Sequence, residues 1–151
     1  MSATAEVLPA RRGVALSLLT SGEGEPMPDP SPFIWHELVT VDQPTSGEFF
    51  SELFGWTRRE VDAGPFGTYT LFQKNGVDVA GMMNPTPDTP VKGAYWHFYV
   101  GVQDVDDCAR RAQWLGGSVL VAPHDVPDVG RVCAVADPTG AVAHLMQPVK
   151  R

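Results

Sequence analysis

FIWHELVTVD (residues 33–42) and AYWHFYVGVQD (residues 94–104) each carry a Trp-His pair followed by Val-x-Val, and Trp35 and Trp96 stand 61 residues apart. Each stretch is followed by an apparent helix. Over residues 46–54 (SGEFFSELF), Phe49, Phe50, Leu53 and Phe54 fall at helical spacing, and Gly55 stops the run. Over residues 106–115 (DDCARRAQWL), Cys108, Ala109, Ala112 and Leu115 do the same, stopped by Gly116-Gly117. Asp106 and Asp107 stand where an N-cap and first-turn carboxylates belong.

Three strand candidates follow each helix. The first set is 56–62, 68–74 and 76–83, with Asn75-Gly76 as a hairpin turn between two apolar runs. The second set is 118–126, 130–137 and 140–148, with a turn at Asp137-Pro138-Thr139-Gly140. A β-α-β-β-β order twice over predicts a tandem duplication, with units 33–83 and 94–149 joined through the proline-rich stretch NPTPDTP (84–90). Residues 1–32 differ in texture. Ser, Gly, Glu and Pro crowd positions 20–32, which predicts a flexible N-terminal arm, or an over-long start with Met27 as the true initiator. The short apolar patch Val14–Leu19 could dock on the body, and it is too short to span a bilayer. The single domain is expected over 33–149.

Charge narrows the function classes. Eleven Lys and Arg against 18 Asp and Glu give −7 over 151 residues, with no basic stripe, which argues against nucleic acid and anionic membranes as partners. Cys108 and Cys133 form no CxxC motif and no disulfide framework, so a reduced, cytoplasmic setting is expected.

Alternation along the strands assigns faces. Trp96, Phe98, Val100 and Val102 form an apolar set that should face a helix, leaving His97 and Tyr99 to face a cleft. Carried back by 61 residues, the cleft should also receive His36, Leu38 and Thr40. That turns Trp35, Glu37, Val39 and Val41 toward the helix, with Glu37 as the odd member. A lone buried carboxylate is costly, so Glu37 is expected near a strand end or paired, with Arg58, Arg59 and Arg131 as candidate partners. His144 shares a face with Val142 and Met146, and its counterpart by an offset of 64 is Ala80. His124, in the loop PHDVPDVG, is expected to be exposed.

With these residues in view, the chain resembles the vicinal oxygen chelate superfamily, the glyoxalase, bleomycin-resistance and dioxygenase-like proteins. The resemblance rests on WHELVTVD…FFSELFGW, on WHFYVGVQDVDD…LGG and on GRVCAVADPTGAVAHLMQP, and it covers roughly residues 33–149. It implies an α+β fold in which two βαβββ units form an open, mostly antiparallel, barrel-like sheet around a small-molecule cleft. It also implies metal ligands from the first and last strand of each unit, which here read His36, Ala80, His97 and His144. Three imidazoles with water would suit Zn, Ni or ferrous iron, while Ala80 removes the fourth ligand and leaves no carboxylate in the set.

Two function classes follow. One is a metal-assisted lyase, isomerase or dioxygenase using His36, His97 and His144. The other is a metal-free module that binds or sequesters a small molecule, as an antibiotic-resistance protein does, in a cleft lined by Leu38, Phe72, Tyr99 and Met146. The same histidines also read as hydrogen-bonded core residues, and Met82 and Met83 as core or cleft lining. The resemblance further implies a homodimer, which would protect the edges of a small open barrel.

Overall fold

Two aspartates set the frame. In a computed structural model describing residues 33–149, Asp42 accepts the Thr45 N–H at 3.0 Å and caps a helix running Gln43–Phe54 (α1). Pro44 sits in its first turn, where a missing N–H costs nothing. The helix thus begins three residues before the expected Ser46, and Gly55 closes it at φ 64°, in the left-handed region. Asp104 caps the second helix, Val105–Trp114 (α2), by accepting the Asp107 N–H at 2.8 Å. Asp106 and Asp107 lie in its first turn rather than at the cap. The caps stand 62 residues apart, one more than the offset between the Trp-His pairs. The arm expected over residues 1–32 lies outside the described residues.

The strands are β1 (Phe33–Val39), β2 (Thr57–Asp62), β3 (Thr68–Lys74), β4 (Val77–Met83), β5 (Tyr95–Gly101), β6 (Ser118–Val126), β7 (Gly130–Ala136) and β8 (Val142–Pro148). They follow the expected segments within two residues, and among the described residues a short 3-10 turn at Gly64–Phe66 is the one further element besides the helices. One open sheet holds all eight in the order β2-β3-β4-β1-β5-β8-β7-β6. β1 pairs with β4 and β5 with β8 in parallel, and the other neighbours are antiparallel. The β1–β5 pair at the centre joins the two units. Asn75 and Gly76, both at positive φ, make the tight β3–β4 hairpin.

Both helices cover the same face of the sheet. α1 sends Phe50 onto Leu38, Phe72, Ala80 and Met82, with Trp56 and Val79 beside them. α2 sends Val105 and Ala109 onto Cys133, with Val119, Val135 and Leu145 beside them. The register carries one face across both units, because Leu38 pairs with Trp96, Val100 with Leu145, and Leu145 with Cys133.

Candidate functional site

The opposite face carries the polar residues. Trp35 pairs with Tyr99, Glu37 with His97, and Tyr99 with His144 across the three central strands. Glu37 is 5% exposed, and its carboxylate is enclosed by donors. The Tyr69 hydroxyl donates to it at 2.7 Å, His97 Nε2 lies 3.0 Å away, and the Tyr99 hydroxyl stands at 3.5 Å. Trp35 Nε1–H donates to the Tyr69 oxygen at 2.8 Å, fixing that hydroxyl's direction. A carboxylate only accepts, so Nε2 of His97 carries the hydrogen and donates it. Burial, and then the negative charge of Glu37, push the Tyr69 and Tyr99 phenols well above their ordinary range, so both stay neutral donors.

His144 completes the cluster, its ring centroid 4.0 Å from that of His97 and 5.4 Å from that of Tyr99. Burial, and then the neighbouring His97, lower its pKa to about 4, which keeps it neutral at pH 7. His97 Nδ1 and His144 Nε2 are both buried without a hydrogen-bond partner. Backbone space shapes the cluster as well. Gly81 pairs with Glu37, and a Cβ placed on it would lie 1.7 Å from the Tyr69 hydroxyl, so only glycine lets Tyr69 cross β4 to reach Glu37.

The expected faces of β1 are reversed. His36 pairs with Phe98 on the helix side and is exposed there, beside Phe50, Trp96 and Ala80. Leu38 and Phe72 are buried in the core beneath α1 rather than lining the open face. Tyr99 and His144 do face the open side, and alternation places Met146 there two residues beyond His144. Glu37, expected on the helix side with an arginine, is instead at the centre of the open face with tyrosines and a histidine. Matching the two Trp-His pairs caused the error, because a slip of one residue exchanges the two faces of a strand. Superposing the N-caps at 62 makes Trp35 the counterpart of His97, and Glu37 that of Tyr99. Gly81 pairs with Glu37 as His144 pairs with Tyr99, so Gly81, not Ala80, answers to His144.

This changes the metal reading. His36 is across the sheet from His97 and His144, so the expected trio does not meet. On the corrected register the four first- and last-strand positions are Trp35, Gly81, His97 and His144, and only two of them hold a donor. Among the described residues no three His, Cys, Asp or Glu side chains are placed to hold one ion. Glu37 and His97 bond to each other, and the two imidazole rings pack against each other at a 49° tilt. The donor set does not fit a Zn, Ni or ferrous centre. His124 is exposed, as expected, with Nδ1 against the Ala122 carbonyl. Sequence reasoning missed Glu37, Tyr69 and Gly81, although Glu37 had already stood out as a carboxylate in an apolar strand.

Comparisons with known proteins agree with this architecture. The chain is 32% identical over 117 residues to "Putative glyoxylase CFP32" of Mycobacterium tuberculosis, a match covering 76% of this chain and 43% of the relative. It is 34% identical over 119 residues to the anthracycline biosynthesis protein DauV of Streptomyces sp. strain C5, covering 71% of this chain and 43% of the relative. The chain therefore spans less than half the length of these relatives. Methylmalonyl-CoA epimerase from Mycobacterium tuberculosis has the same fold at a TM-score of 0.57 and 15% identity, covering 84% of this chain and 94% of that one. No helix among the described residues is long and apolar enough to cross a membrane. The paired βαβββ units agree with a family model matching residues 31–145, and the chain belongs to the Glyoxalase/Bleomycin resistance protein/Dioxygenase superfamily.

Proposed function

We propose that the protein, as a homodimer, binds a small neutral organic molecule on the open face of the sheet, its polar end against His97 and His144. The observation that carries this reading is the pair of contacting imidazoles whose Nδ1 and Nε2 are buried and unpartnered beside a fully engaged carboxylate. Buried polar atoms are normally satisfied, and a bound ligand supplies what two orphaned ring nitrogens lack. Glu37 disfavours an anion, whereas a carbonyl or phenolic hydroxyl fits the two unpartnered ring nitrogens between Trp35, Tyr69 and Tyr99. The names of the relatives, a glyoxylase and an anthracycline biosynthesis protein, point to the same range of carbonyl and aromatic chemistry.

The arrangement also supports proton transfer. With Nε2–H donated to Glu37, the lone pair of His97 Nδ1 is the base, oriented as a carboxylate orients an imidazole in a hydrolase triad. If the protein is an enzyme, His97 takes the proton from the bound molecule and Glu37 holds the resulting imidazolium. If it is a binding module, the same atoms only hydrogen-bond the ligand.

Two measurements test this reading. Fluorescence titration with a dihydroxyanthraquinone should show saturable binding that weakens tenfold or more in His97→Gln and in Glu37→Gln, with His36→Ala unchanged. Binding that ignores both cluster substitutions, or no binding at all, would overturn it. Incubating hydroxyacetone with the protein in heavy water then separates the two classes: His97-dependent deuterium uptake next to the carbonyl marks an enzyme, and none marks a binding module.

A further inference from the structure

The strand that carries His97 turns one more polar group to the open face. Alternation along β5 puts Tyr95 on the same side as His97 and Tyr99, and its ring centre lies 5.7 Å from that of His97. Its neighbour across the central strand pair is Val39, which is buried and offers no polar side chain. The Tyr95 hydroxyl is buried and has no hydrogen-bond partner. The Val91 N–H nearby can only donate to the phenol oxygen, so the O–H still lacks an acceptor. Among the described residues, four buried side-chain polar atoms are left in this state. Three of them, on Tyr95, His97 and His144, share the open face, while the fourth, Ser51 Oγ, lies in α1 on the other side of the sheet.

Native folds leave a few such groups each, so their number is ordinary. Their gathering on one face is what points to a ligand, and they differ in what they require of it. With Nε2–H given to Glu37, His97 Nδ1 is an acceptor and calls for a ligand hydroxyl or N–H. Burial, and then the charge of Glu37, raise the pKa of the Tyr95 phenol, so it stays a neutral donor and calls for a carbonyl oxygen. A phenol O–H within reach of an acceptor nitrogen would donate to it, and both of these atoms are unpaired. They therefore stand apart and address different atoms of one molecule. Residues two apart on a strand are separated by about 6.6 Å, the span of a ring rather than of two bonded carbons.

We infer that Tyr95 is a specificity-determining residue of the open-face site, its hydroxyl donating to a carbonyl oxygen of a ring-sized ligand whose own hydroxyl donates to His97 Nδ1. The ligand class so selected is a hydroxylated aromatic ketone or quinone. This selection rests on the open-face binding proposed above and adds a second anchor to it. A molecule of the same shape that carries hydroxyls but no carbonyl is then held through the imidazoles alone.

Paired fluorescence titrations test this, with a dihydroxyanthraquinone and with the dihydroxyanthracene that lacks only its two carbonyls. Tyr95→Phe should weaken binding of the quinone about tenfold, because a buried carbonyl loses its donor, and should change the affinity for the dihydroxyanthracene by less than about twofold. His97→Gln should weaken both. Since the lost hydroxyl has no partner in the protein, the urea midpoint of Tyr95→Phe should equal or exceed that of the wild-type chain. Equal losses with the two probes, or a lowered midpoint, would make the role of Tyr95 structural and overturn the inference. A quinone affinity that Tyr95→Phe leaves unchanged while His97→Gln lowers it would overturn the inference alone and leave the open-face site standing. A wild-type chain that binds neither probe would overturn the site, and the role of Tyr95 with it.

Discussion

The two units share one plan and spend their side chains differently. In the first unit, the core beneath α1 is built from large groups, Phe72 and Met82 fully buried with Leu38, Phe50 and Trp56 around them. In the second, Val105, Ala109 and Cys133 do the same task with far less volume. The open face reverses the pattern. The second unit contributes two imidazoles, His97 and His144, at the first- and last-strand positions. The first unit has a tryptophan and a glycine there, and the freed space is taken by Tyr69 reaching Glu37. Duplication leaves two equivalent scaffolds, and divergence has made one the anchor that orients and the other the bearer of the unpartnered ring nitrogens.

The sharpest way to break this comparison is through the cores. Phe72→Ala should destabilise the protein by about 3–5 kcal/mol, since it removes a fully buried ring that the surrounding strands cannot collapse to fill. Val105→Ala, equally buried, removes only two methyl groups and should cost about 2 kcal/mol. Urea unfolding of the two variants measures the difference. Equal losses would mean that the units are held by similar cores after all.

That asymmetry also explains what the sequence could disclose. Element order was legible because turn residues such as Asn75-Gly76 and the helix-stopping Gly55 and Gly116 act locally. Position along the chain was therefore read to within three residues. The site was not, because it depends on which way β1 faces, and that is set by pairing with β5 rather than by β1 itself. The Trp-His pair repeated in both openings was a coincidence of identity, whereas the capping aspartates, whose geometry is functional in both units, held the true register. Tyr69 was beyond reach for another reason: its role follows from the missing side chain at Gly81, a contact between strands with no local signal.

The next test addresses the anchor. Glu37→Ala should leave the Tyr69 hydroxyl and His97 Nε2 without their acceptor, at a cost of about 2–3 kcal/mol. Gly81→Ala acts on the same bond from behind. Its methyl group would force Tyr69 off Glu37, at about 1–3 kcal/mol for the overpacking. If Tyr69 is held only through Glu37, the two substitutions together should cost clearly less than the sum of their separate effects. Thermal melts of the four proteins in that cycle give the coupling. Strict additivity would mean that Tyr69 and Glu37 stabilise the fold independently.

The smallest expected effect belongs to the second unit and is visible only as a dependence on pH. His144 has its pKa lowered to about 4 in the fold, against about 6.5 for an unfolded histidine, first by burial and then by His97. Between those values the unfolded chain binds a proton that the folded one refuses, so the unfolded state gains as pH falls. The contribution of a neutral His144 is therefore complete above pH 6.5 and is lost progressively as pH drops toward 4. The helix-capping carboxylate of Asp42 and the turn carboxylate of Asp137 are held below the ordinary range by hydrogen bonds, so their own losses begin only near pH 4, at the bottom of this window. Urea midpoints measured at pH 7.0, 6.0 and 5.0 should fall for the wild-type chain, and the fall should be smaller in His144→Gln, which has no proton to gain. The ligand adds a second reading of the same group. A ligand hydroxyl that donates to the orphaned Nε2 needs the lone pair of a neutral ring, so its binding should weaken at pH 4 far more in the wild-type protein than in the Gln variant. Identical pH profiles for the two proteins would place His144 in contact with water, and the imidazole pair would then lose its claim to be the centre of the site.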